Sequence, residues 1–232
     1  MSAPVLLLPG MMCDARLFDP QIAHLAGSYD ILIGDLSEGT SLDDIARHIC
    51  ASLEGPVHVV GLSMGGILAL HLALHWPQYV ASLTLIDTNG REDKPESAPV
   101  RHAQIKAVQN GELESLMRND LTPLYVYDAE GNNDILELCV EMALDLGPKV
   151  FESQSLALLN RHSVIDRLDE ITVPTLIICG AQDKLCSLED HRSLEHGIAK
   201  AHLQIIDHCG HLATLEHPDV VNTALLAFLS SH

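Results

Sequence analysis

The sequence predicts an α/β fold: a mainly parallel sheet of about six strands with helices on both faces. Three observations carry this reading. Short β-rich apolar runs alternate with amphipathic helical stretches. A run of small residues, "GLSMGG" (61–66), joins an apolar strand-like run directly to an apolar helix-like one. The alternation breaks once, from Asn89 to about Glu170, where only helical patterns occur, and then resumes.

The elements follow in order. "VLLL" (Val5–Leu8) reads as a strand. "DPQIAHLA" reads as a helix, with Asp19 as N-cap and Pro20 at the first helical position. "DILIG" (Asp30–Gly34) is the next strand. "SLDDIARHICASL" is a helix opened by a capping-box-like Ser41 and Asp44. Its apolar face is Leu42, Ile45, Ala46, Ile49 and Leu53. "VHVVGLS" is a buried strand, "MGGILALHLALHW" a helix stopped by Pro77, and "LTLIDT" a strand. Helical pieces then fall near Val100–Gln109, Leu113–Arg118, Asp134–Leu146 and Val150–Leu159. "PTLIICG" (Pro174–Gly180) restores the strand pattern, followed by a helix near Leu188–Ile198, the strand "LQIID" and a final helix from Pro218. The organisation is a single domain, with a core of 1–88 and 171–232 and a helical cap inserted at 89–170.

Composition bounds the function. The chain has 232 residues, 47% of them hydrophobic and 3% aromatic, so a sizeable core must be aliphatic. A formal charge of −19 should repel nucleic acid and anionic membranes. No run approaches the roughly 18 apolar residues that cross a bilayer. The start, "MSAPVLLLPGMMC", lacks a basic region and is broken at Pro9-Gly10, so no signal peptide is read there. Six cysteines without C-x-x-C or framework spacing fit a reduced, cytoplasmic chain. The expected partner is a small molecule with an apolar part, met by a monomer or homodimer.

"GLSMG" fits G-x-S-x-G between a strand and a helix, the setting of a nucleophile elbow. The turn strains the serine, so Gly61 and Gly65 must leave room around it, and Gly66 lets the helix pack closely. Ser63 then stands above the sheet with the first helical N–H groups aimed at the reacting centre. A serine needs a base, and the base an orienting acid. "IIDHCGHLATLEHP" offers two bases, His208 and His211. Asp183 follows the strand Leu176–Cys179, and Asp87, after "LTLI", is a reserve acid.

Other signals carry less. His71 and His75 stand at i, i+4, but "HLALH" lacks the glutamate of H-E-x-x-H. Cys13 has no elbow. "VVGLSMGG" is neither G-x-G-x-x-G nor followed by a Walker lysine. No cofactor and no metal is expected. Five basic residues of the cap (Arg101, Lys106, Arg118, Lys149, Arg161) are either solvated charges or include a partner for a substrate carboxylate.

Four stretches in this order, "LLLPGMMCD", "GLSMGG", "GAQDKL" and "GHLATLEHP", resemble an α/β-hydrolase-fold serine hydrolase, of the small bacterial esterase type with a helical cap. The resemblance spans nearly the whole chain. It implies a three-layer α/β-hydrolase fold, with Ser63 as nucleophile, Asp183 as acid and His211 rather than His208 as base. It also implies an oxyanion hole made by the backbone N–H of Met64 and of Met11, with Met12 next. Many relatives carry H-G where this chain has Pro9-Gly10, which leaves the backbone donor but not that histidine. The side chains of Met11 and Met12 would either fill the core or, the preferred reading, wall an apolar acyl site. Too few residues precede Val5 for the family's usual first antiparallel hairpin, so six parallel strands are expected, with "DILIG" near an edge. The expected activity is cleavage of a small carboxylic ester through an acyl-enzyme on Ser63. Hydrolysis of a lactone, thioester or C–C bond, or a lyase reaction, would use the same triad, and a non-catalytic receptor would retain it unused.

Overall fold

The computed structural model describes residues 3–232. Strands β1 (Val5–Leu8), β2 (Ile31–Ile33), β3 (Val57–Leu62), β4 (Val80–Ile86), β5 (Thr175–Gly180) and β6 (Ala201–Ile206) form one sheet in the order β2-β1-β3-β4-β5-β6. Every pairing is parallel. The helices are α1 (Asp19–Leu25), α2 (Leu42–Ala51), α3 (Met64–His75), α4 (Ser97–Gln109), α5 (Leu113–Leu116), α6 (Asn133–Leu146), α7 (Pro148–Leu159), α8 (Leu188–Gly197), α9 (Ala213–Glu216) and α10 (Pro218–Leu229).

The period of two along each strand sorts its side chains onto two faces. Val5, Leu7, Val60, Leu62, Ile86 and Ile178 pack with α1 and α10 on one face. Leu6, Leu8, Val59, Leu83, Leu85 and Ile177 pack with α2, α3 and α8 on the other. Both faces are covered, which is why β1 and β3 read as continuous apolar runs rather than alternating ones. Between β4 and β5 the chain is helical, with its own apolar cluster around Ile105, Val108, Val140 and Phe151. No helix among the described residues is long and apolar enough to cross a membrane.

Strand β2 is the edge strand that "DILIG" suggested. Ser41 caps α2, accepting from Asp44 N at 3.1 Å, and Leu42, Ile45, Ala46 and Ile49 are buried. One cap falls elsewhere. Asp19 is not the N-cap of α1: the helix begins at Asp19 itself, with Phe18 in the cap position. A tight helical turn at Ala15–Phe18, capped by Asp14, delivers the chain straight into α1 and leaves no free cap position for Asp19.

The strand order reverses between β1 and β3, since β1 leads outward to β2 and the chain then returns to β1's other side. Loops leaving adjacent strands in opposite directions open a crevice at the carboxyl ends. The loops after β1 and β3 carry Met11 and Ser63. Their close approach depends on Gly65, where a Cβ would lie 1.9 Å from Leu8 O. Backbone cannot yield as a side chain end can. Gly65→Ala should therefore cost at least the roughly 1–3 kcal/mol of ordinary overpacking. The check is soluble yield and thermal midpoint, and an unchanged midpoint would contradict the packing described.

Two buried histidines, His58 and His191, and the half-buried His71 make the fold sensitive to mild acid. His191 donates from Nδ1 to Ser187 O at 2.8 Å and accepts from Thr88 N on Nε2 at 3.0 Å, so its hydrogen bonds require the neutral ring. Burial lowers the affinity of His191, His58 and His71 for a proton below the ordinary value of 6.5, with the Asp43 carboxylate partly opposing this at His71. The unfolded chain then takes up protons first. These groups' contribution is fully present above about pH 6.5 and is lost as pH falls below it. The thermal midpoint should drop between pH 7.5 and 5.5, and replacing His191 by Gln should flatten that slope.

Candidate active site

Ser63 sits between β3 and α3 with φ 53° and ψ −115°, a left-handed conformation that costs a non-glycine residue on the order of 1–3 kcal/mol. The surroundings hold it there. Ser63 N donates to Ile86 O at 3.0 Å, and Ser63 O accepts from Ile67 N and from Thr88 Oγ1 at 2.8 Å. Thr88 thus locks the turn from the end of β4, a role that no spacing in the sequence announced. Ser63 and His211 line one cavity of about 490 Å³ between the sheet's carboxyl edge and the helices of 97–159.

Asp183 and His211 arrive on the loops after β5 and β6, which are neighbours in the sheet. His211 Nδ1 lies 2.8 Å from Asp183 Oδ2, with the two side chains 4% and 0% exposed. A neutral ring donating from Nδ1 keeps its proton off Nε2. Asp183 Oδ1 accepts from Leu185 N at 2.7 Å and Cys186 N at 3.0 Å. Burial alone would raise this carboxyl. The charge and hydrogen bond of His211, with those two N–H groups, outweigh burial and hold it below the usual carboxylate range.

The histidine loop is pinned from the helical segment. His211 N donates to Tyr125 O at 2.8 Å. Glu216 accepts from Gly210 N at 2.8 Å and from Tyr127 N at 2.7 Å, joining the loop to that segment. The glutamate of "GHLATLEHP" is therefore a clamp for the loop that carries His211. His208 lies outside this arrangement. It is exposed, stacks near Tyr127 at 5.5 Å, and its carbonyl accepts from His217 Nε2.

Asp87 is fully buried at the end of β4, and its oxygens accept from Gly180 N at 2.8 Å and Ala213 N at 3.1 Å. It braces the loops that carry Asp183 and His211 and has no hydrogen bond to His211. Burial, and next the charge of Asp183, push its carboxyl well above the usual range.

Met11 and Met64 line the cavity, and neither N–H has a hydrogen-bond partner among the described residues. Met12 departs from the expectation in both respects. Its N–H is taken by Gln154 Oε1 at 2.8 Å, and its side chain is 1% exposed within the helical cluster rather than walling the cavity. Its backbone is left-handed, with φ 56°, and Met11 packs against the same cluster while also lining the cavity. Gln154, on α7, also donates to Leu36 O at 3.1 Å, so one buried amide ties two loops at the strand ends.

Cys13 borders the cavity, but its thiol is pushed well up by hydrogen bonding to Cys139 and by burial, which disfavours a nucleophilic thiolate. His71 and His75 pack ring to ring at 4.5 Å, and His71 Nε2 meets Asp43 at 3.2 Å. Two groups of ligand-type side chains lie within 4.8 Å of one another: Asp87, Cys179 and His191, and Asp183, Cys186 and His211. In the first, both His191 nitrogens are already hydrogen-bonded. In the second, His211 Nδ1 is held by Asp183.

The fold and this arrangement define an α/β-hydrolase. Residues 5–224 match the model of the alpha/beta hydrolase family, and the chain belongs to that family. It is 31% identical, over 75% of its length and 63% of the relative's, to a 2-hydroxy-6-oxononadienedioate/2-hydroxy-6-oxononatrienedioate hydrolase of Pseudomonas putida. It is 25% identical to the monoacylglycerol lipase ABHD6 of Bos taurus, over 98% of this chain and 75% of that one. Among solved structures, a thermophilic esterase from Thermogutta terrifontis superimposes with a TM-score of 0.89 at 22% identity, covering 100% of this chain and 90% of that one. The chain is a hydrolase by family and by relatives.

Proposed function

We propose that this hydrolase cleaves a small carboxylic ester through an acyl-enzyme on Ser63. The observation that carries the reading is the buried Asp183–His211 pair at 2.8 Å, opening on the same cavity as a serine held in strained backbone. His211 Nε2 takes the proton from Ser63 Oγ, and Oγ attacks the ester carbonyl. The carbonyl oxygen gains negative charge, which the N–H groups of Met64 and Met11 stabilise. The tetrahedral centre collapses, the alcohol leaves with the proton from His211, and the acyl group stays on Ser63. Water, deprotonated by His211, then releases the acid and restores the serine. Asp183 fixes the ring's tautomer and balances the imidazolium as it forms. Residues 89–170 act as the cap that shields these steps from bulk water.

The relatives' names span a glyceride lipase and a hydrolase of an oxo-dienedioate, so the ester assignment rests on the site and is tested by turnover. Six unpaired, buried thiols favour a reducing compartment such as the cytoplasm. The test is a panel of 4-nitrophenyl esters, with fluorophosphonate labelling read by mass spectrometry. Turnover of short esters and a single adduct on the Ser63 peptide are expected. Labelling elsewhere with Ser63 unmodified would overturn the assignment.

A further inference from the structure

The cavity wall formed by residues 89–170 is charged, and unevenly so. Arg161, just after α7, has a side chain 7% exposed. Its Nη1 lies 2.6 Å from Asp93 Oδ1 and donates to Leu158 O, and its Nε donates to Arg91 O at 2.8 Å. Arg101, on α4, gives its Nε to the other oxygen of Asp93. One largely buried carboxylate therefore serves two guanidinium groups, one on each oxygen. Arg161 Nη2 and both terminal nitrogens of Arg101 have no partner among the described residues, and both residues line the cavity. Glu96, the other acid at the cavity, is exposed, where solvent screens it. Much of the remaining wall is apolar, including Met11, Ile67, Leu124 and Phe151.

We propose that Arg101 and Arg161 form a carboxylate-binding subsite, so that the substrate carries a free carboxylate separated by an apolar stretch from the bond cut at Ser63. A half-ester of a dicarboxylic acid has this chemistry. The proposal rests on the hydrolase reading of the same cavity. A guanidinium presents paired donors that match the two oxygens of a carboxylate. Setting two cations, Arg161 nearly buried and Arg101 partly exposed, against one anion leaves a charge to be met, and a substrate anion meets it. Burial lowers the proton affinity of Arg161 despite Asp93, which is the sign of incomplete compensation. The −19 surface makes a positive wall here a local feature rather than the chain's general character.

The test compares mono-(4-nitrophenyl) glutarate with the neutral 4-nitrophenyl butyrate, on the wild type and on Arg101→Gln. Arg101 is the residue to change because Arg161 also braces backbone and its loss could unfold the segment. The wild type should favour the half-ester in kcat/KM, and Arg101→Gln should cut that preference by roughly 10-fold or more, mainly through KM, as expected for a lost charged hydrogen bond. A second measurement needs no turnover: calorimetric binding of glutarate and of butyrate to Ser63→Ala, with and without Arg101→Gln. Glutarate should bind more tightly than butyrate and lose that advantage with Arg101. If neutral esters turn over as well as the half-ester and Arg101→Gln changes nothing, the subsite is overturned and the hydrolase stands. If no ester turns over while glutarate binds through Arg101, the ester chemistry fails and the subsite stands. Equal binding of glutarate and butyrate overturns the subsite whatever the turnover.

Discussion

Asp183→Asn is expected to lower kcat by on the order of 10⁴, the size of the same change in the best-studied serine triad. The geometry explains why so small a change should do so much. Asp183 Oδ1 accepts from Leu185 N and Cys186 N, so the asparagine oxygen is drawn to that side. Its NH₂ then faces His211 Nδ1, where Oδ2 stood at 2.8 Å. Nδ1 must become an acceptor, the proton moves to Nε2, and the ring can no longer take one from Ser63. Asp87→Asn should act differently. Both Asp87 oxygens accept from backbone, so an NH₂ there opposes Gly180 N or Ala213 N and leaves a buried donor unpaired. That costs roughly 1–3 kcal/mol, and its signature is a thermal midpoint lowered by several °C with a much smaller loss of kcat. Kinetics and melting of both variants separate the roles. A dead Asp87→Asn beside an active Asp183→Asn would move the acid to the end of β4.

The six strands and the elbow were legible because their signals are local. A strand buried on both faces must be apolar throughout, as Val57–Leu62 is, and a turn under steric strain must be rich in glycine, as 61–66 is. Readable strands narrowed the acid to Asp183 or Asp87 and the base to His208 or His211, and the resemblance of "GAQDKL" and "GHLATLEHP" to the family pattern chose Asp183 and His211. The supports of the site were not legible, because each is a contact between distant segments. Gln154 reaches Met12 across 142 positions, and Glu216 reaches Tyr127 across 89. Neither residue type is distinctive in a helix. Met12 looked equivalent to Met11 because they are adjacent, yet only Met11 lines the cavity, while Met12 is buried with its N–H taken by Gln154. Arg161 was one of five cap bases in the sequence, and only its 7% exposure and shared carboxylate set it apart.

His211→Ala should be as damaging as Ser63→Ala, and the double variant hardly worse than either, because in the proposed mechanism the two residues act in one step. Once the base is gone, the serine keeps its proton and removing it takes away little more. What persists in all three should be the residual rate from the N–H groups of Met11 and Met64 and from binding. His208→Ala should keep most activity. Its side chain is exposed beside Tyr127, and the carbonyl that His217 uses survives the substitution. Tyr125 and Glu216 hold the loop of His211 by backbone groups, which alanine also retains. A loss at His211→Ala with an unchanged thermal midpoint would therefore report chemistry rather than unfolding. An active His211→Ala beside a dead His208→Ala would transfer the base to His208, despite the contact with Asp183.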